Sequence, residues 1–125
     1  GTQPGMAEED PMSDERLERL RVIAEALRDV ALADAARAAD EMRQSQERLR
    51  ALVHPLPEAP VISPLALAAA QLRHDRWTTA RRTEINQLLA LQTAHAIETR
   101  ASAARALGRA EVLRKLTESA ARRRY

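Results

Sequence analysis

The sequence contains no cysteine and no phenylalanine, and only one tryptophan, one tyrosine and three glycines among 125 residues. Without cysteine there is no disulfide framework and no thiolate metal site. The near absence of aromatic and the shortage of β-branched side chains leave little to furnish sheets or a thick globular core. No phosphate-cradling glycine loop is present. Long apolar runs are missing as well. The longest uncharged stretch, Ala59 to Leu72, is interrupted by Pro60 and Pro64 and is too short to span a bilayer as a helix. No basic segment followed by an apolar one marks a leader, so the chain reads as cytoplasmic. Gly1 to Met6 reads as a tag remnant, with translation starting at Met6 or Met12.

What remains is mostly alanine, arginine and leucine, and these favour helices. With 45% hydrophobic and 30% charged residues, the composition matches the long-helix and coiled-coil class. The formal charge of +2 hides a division. Residues 1–63 hold 8 basic against 13 acidic residues, and residues 64–125 hold 12 basic against 5 acidic. The two halves should therefore attract each other. Every basic residue except Lys115 is arginine, which supplies fork-shaped donors for carboxylate or phosphate. Codon bias in a GC-rich genome explains the same preference.

Punctuation divides the chain into a disordered segment 1–12, a helix 13–54, a proline-rich bend 55–63 and a helix 64–122. Ser13 is a plausible N-cap, with Asp14 and Glu15 in the first turn. Pro55, Pro57 and Pro60 forbid continuation. Ser63 followed by Pro64 supplies a cap and a first-position proline. The fold class is thus all-α, an antiparallel coiled-coil hairpin whose second helix is the longer.

The first helix carries an apolar seam at Leu17, Leu20, Ala24, Leu27, Ala31, Ala35, Ala38, Met42, Ser45, Leu49 and Leu52. Its spacing alternates three and four except for one extra four at Ala31 to Ala35, which predicts a stutter. Acids precede arginines by three at Glu18/Arg21, Glu25/Arg28, Asp34/Arg37, Asp40/Arg43 and Glu47/Arg50, the pattern of a solvated face. The second helix is less regular. Its best seam is Leu65, Ala69, Leu72, Ile85, Leu89, Gln92, Ala96, Ala103, Leu107, Ala110, Leu113 and Leu116. A hairpin folded at the prolines sets Leu52 opposite about Ala66 and Leu17 opposite about Ala101. Everything after about Arg105 then overhangs, exposing Leu107, Val112, Leu113 and Leu116 on a basic background for another protein or a second copy to cover.

Nothing in the sequence supports catalysis. The three histidines include His74 and His95, about 31 Å apart along one helix and unable to share a metal. No HExxH pattern or nucleophile motif exists, so no catalytic, cofactor or metal residue is assigned. Trp77, one turn after His74, is either a partner anchor or a cover over the seam. The arginines around it are not interleaved with aromatics, which disfavours nucleic acid as a partner. Gly108, at a cost near 1 kcal/mol relative to alanine, is a bend, a close contact or simply tolerated.

The segment Ala106-Leu107-Gly108-Arg109-Ala110-Glu111-Val112-Leu113-Arg114-Lys115-Leu116 resembles the C-terminal signature of the flagellar and type III secretion stalk proteins. The stretch from Leu17 to Arg21 is similar to that family's opening. The resemblance covers most of the chain in architecture and some 20 residues in motif. It implies a non-enzymatic stalk that seats its paired terminal ends in a hexameric export ATPase and contacts the export gate protein and export chaperones. The membrane would be reached only through these partners. The ATPase end would comprise Leu17, Leu20, Leu107, Val112, Leu113, Lys115, Leu116 and Arg122; Leu72 and Trp77 would face the gate or a chaperone. The alanine-rich seam and proline-rich bend depart from the family. Competing readings are a helical-hairpin export chaperone that binds a secreted filament protein, a homodimeric four-helix bundle and an architectural DNA binder.

Overall fold

A computed structural model of the chain describes residues 11–52 and 63–124. Most of the expected disordered segment 1–12, and the bend 55–63 apart from Ser63, lie outside the described residues. Two helices form the expected antiparallel hairpin: α1, Pro11–Ala51, and the longer α2, Pro64–Arg124.

Helix α1 begins at Pro11, where the missing N–H costs nothing, so Ser13 lies inside the first turn rather than capping it. Asp14 in that turn, and Arg48 and Arg50 in the last, complement the helix dipole. The Ser63 cap of α2 is present as expected. Its Oγ accepts the Ala66 N–H at 3.1 Å, and its carbonyl accepts the Leu67 N–H at 2.9 Å. Helix α2 runs through Gly108 without interruption.

The hairpin divides into two compact units: residues up to 36 with residues from 97 onward, and residues 37–96. In the first, here the terminal unit, the buried or half-buried line on α1 is Leu17, Arg21, Ala24, Arg28, Ala31 and Ala35. Spacings of four and three alternate without the expected stutter. Arg21 and Arg28 hold the positions predicted for Leu20 and Leu27, which are 45% and 58% exposed. An arginine can occupy a seam because its stem covers apolar surface while its head reaches out. Arg21 does this, bonding Glu18 and Glu25. The α2 line of the same unit is Thr99, Ala103, Ala106, Ala110, Leu113, Thr117 and Ala120. Leu107 and Leu116, expected on the seam, lie off it and are exposed.

The predicted overhang after Arg105 is not found. Ala106, Ala110 and Ala120 are all buried, Ala120 to 3% exposure, so this end of α2 is packed. The buried residues of this unit are alanines, and each methyl contributes only about 0.8 kcal/mol.

In the second unit, Ala38 and Ser45 are buried on α1 and Ile85 on α2. Ser45, fully buried, donates from Oγ to Gln92 Oε1 at 2.6 Å. That bond joins the only polar positions of the two expected seams and sets the register. It brings Leu52 level with Ile85 instead of Ala66. The surplus of α2 therefore lies at its beginning, where residues 64–84 are all exposed or half-buried. Leu65, Ala69 and Leu72, assigned to the seam from the sequence, are exposed.

Candidate interaction groove

Charge pairing runs along the helices. Arg43 is bonded to Asp40 and, at 3.1 Å, to Glu47. Arg114 is bonded at 2.5 Å to both Glu111 and Glu118. Two expected pairs, Glu25/Arg28 and Glu47/Arg50, are exchanged, since Glu25 pairs with Arg21, Arg28 with Asp29, and Glu47 with Arg43. The Arg43 hydrogen bond and charge hold the Asp40 carboxyl below its ordinary value. Arg114 acts likewise on Glu111. Salt bridges this exposed contribute little individually. They keep a helical face soluble and leave other arginines without carboxylates.

The terminal unit contains an open, mostly apolar groove of about 640 Å³. Its α1 wall is Leu20, Ile23, Ala24 and Leu27. The α2 wall is Arg105, Ala106, Gly108, Arg109, Val112 and Leu113. Leu20, Ile23 and Leu27 each precede a seam residue by one position, so they form a second stripe beside the first. Val30 extends that stripe and is exposed. On α2, Arg105, Arg109 and Val112 likewise precede Ala106, Ala110 and Leu113. A Cβ built on Gly108 meets nothing within 4 Å. Neither a bend nor a close contact inside this fold explains the glycine.

Of the eight residues predicted for the ATPase end, Leu20, Val112 and Leu113 come together in this groove. Leu17 is half-buried on the seam, while Leu107 and Leu116 are exposed outside the lining. Lys115 is exposed, 4.0 Å from Glu111, and Arg122 is exposed. Ile23, Leu27, Arg105, Gly108 and Arg109 were not singled out from the sequence as site residues. The signal for the α1 wall was the three-four spacing of Leu20, Ile23, Leu27 and Val30, which fits a helix face as well as the seam itself.

In the other unit, Leu72 and Trp77 are exposed, Trp77 by 58%. The indole stacks on the His74 ring with centroids 6.3 Å apart and planes 27° from parallel. It does not serve as a buried seam cover. Among the described residues there is no cluster of three or more metal-ligating side chains, and no helix long and apolar enough to cross a membrane. No protein-family profile, curated protein or solved structure matches the chain.

Proposed function

We propose that this protein is a non-enzymatic helical adaptor that docks partners through its terminal unit. In its most concrete form it is a stalk of a flagellar or type III export apparatus, seated in the hexameric export ATPase and coupling it to the export gate at the inner face of the cytoplasmic membrane. The observation that supports this reading is the apolar groove at the paired ends. It gathers Leu20 from one resembling segment with Val112 and Leu113 from the other. A contiguous exposed apolar surface of this kind marks an interaction site. The mechanism is mechanical: a stiff hairpin bound unequally by the subunits of a ring biases their states through differential affinity.

The test uses Leu20→Asp with Val112→Asp, both at exposed positions, so that helicity is retained. Loss of co-elution with the export ATPase supports the stalk, and unchanged co-elution overturns the groove as the ring contact. Capture of a secreted filament subunit in place of the ATPase identifies an export chaperone. Twice the monomer mass by light scattering identifies a four-helix bundle.

A further inference from the structure

Arg105 and Arg109 are the two charged residues that line this groove. Arg21, Arg28, Arg43, Arg81 and Arg114 each hold a carboxylate. Among the described residues, Arg105 is bonded only to the Ser102 hydroxyl, at 3.1 Å. No aspartate or glutamate stands three or four residues from either Arg105 or Arg109, so neither has an acid at the spacing that pairs side chains along a helix. The opposite wall offers Leu20, Ile23 and Leu27, none of which accepts a hydrogen bond. The α2 wall is therefore cationic and unneutralised, while the α1 wall is apolar.

We infer that the groove takes an amphipathic helix from another protein, its leucine-like stripe on the α1 wall and its acidic flank against Arg105 and Arg109, with closest approach at Gly108. This rests on the adaptor reading and names the chemistry of the partner. Helix-in-groove recognition needs anchors at helical spacing, which Leu20, Ile23 and Leu27 complement. Carboxylates supply what the two guanidinium groups lack, with bidentate geometry available. Gly108 fits the same picture. A mid-helix glycine is unfavourable relative to alanine, and this one belongs to the groove lining with open space where a Cβ would stand, so a bound backbone can approach.

A second copy is a poorer occupant. A twofold axis across the helices brings Arg109 toward its own symmetry mate. One along them lays both arginines over the apolar α1 wall without a carboxylate. Like charges brought together and unpaired charges buried both oppose association.

The experiment is calorimetric titration of the whole chain with a synthetic helical peptide of about four turns, carrying leucines at helical spacing and glutamates along one flank. A matched peptide carries lysine at the glutamate positions. The glutamate peptide is expected to bind about tenfold or more tightly than the lysine one. Arg105→Glu with Arg109→Glu should reverse that order. Gly108→Leu should weaken binding at least about tenfold with helicity unchanged, and Gly108→Ala should raise the melting temperature of the free chain while weakening the peptide. No binding of the glutamate peptide, equal affinity for both peptides, or binding indifferent to Gly108→Leu overturns the inference. So does a concentration-dependent dimer that Gly108→Leu dissociates. ATPase association that survives Gly108→Leu and the double Arg→Glu variant sinks this inference and leaves the stalk reading standing. Peptide binding without ATPase association does the reverse.

Discussion

The two units of the hairpin solve the same packing problem differently. In the terminal unit the buried positions are alanines, Ala24, Ala103, Ala106, Ala110 and Ala120, helped by arginine stems. In the other unit a bulky Ile85 is buried and a seam position is given to the Ser45–Gln92 hydrogen bond. Small side chains let two helix axes approach toward the lower end of about 8–10 Å. Larger apolar residues then find no room between the helices and stand beside the seam, as Leu20, Ile23 and Leu27 do. The thin seam and the exposed groove are consequences of one choice of residues. Where a polar pair sits inside, the unit gains a defined register and forgoes some apolar burial.

The largest expected effects come from exchanging these solutions. Ile85→Ala removes the one large apolar side chain that is buried among the described residues of its unit and should cost about 3 kcal/mol. Ala110→Leu inserts bulk into an alanine seam and should cost about 2 kcal/mol. Hydrogen exchange resolved by residue should locate the first loss in residues 37–96 and the second in the terminal unit. If Ala110→Leu is neutral or stabilising, the seam has spare room and the contrast between the units collapses.

A smaller effect separates stability from register. Ser45→Ala leaves Gln92 Oε1 without its donor and should cost about 1 kcal/mol. Replacing both residues, Ser45→Leu with Gln92→Leu, should recover or exceed the original stability yet loosen the alignment of the helices. A spin label at Arg48 should broaden amides of α2 near Leu89 in the parent, and a wider range of α2 in the double variant. The same narrow footprint in both would show that the polar pair does not set the register.

The fold class, the two helices and the Ser63 cap could be read from the sequence because each rests on strong local chemistry: helix-favouring residues, prolines and a capping hydroxyl. Much of the α1 seam was legible too, from Ala31 through Leu49. The errors have a common origin. Choosing leucine over arginine at each step placed Leu20 and Leu27 on the seam and required a stutter, whereas the structure keeps an unbroken repeat and turns arginine stems inward. Alanine seams carry almost no size pattern, so the register had no apolar signature. Ser45 and Gln92 were both recognised as seam positions, and pairing the two polar residues would have placed the surplus at the start of α2. The groove was half visible: Val112 and Leu113 were identified, but as parts of an overhang, and Leu20 as a seam position of the paired end.

The smallest effect is electrostatic and tests how evenly the two units depend on charge. Asp40 lies in residues 37–96 and Glu111 in the terminal unit. Arginine holds both carboxyls below their ordinary values, Arg43 for the first and Arg114 for the second. A carboxyl whose value is depressed in the folded state contributes stability above its unfolded value, and that contribution is lost as pH falls through the folded value. The window therefore lies below about pH 4, with full stabilisation at neutral pH. Arg43 and Arg114 are shifted upward, further from neutrality, so they add no alkaline limb in the accessible range. The melting temperature should fall slightly on acidification from neutral to about pH 3. Asp40→Asn should flatten that acid limb in part, leaving the Glu111 share, and Glu111→Gln should leave the Asp40 share. Because both pairs are exposed, about 0.15 M salt should already reduce the effect. An acid limb that neither variant alters would show that these ion pairs carry none of the pH dependence in either unit.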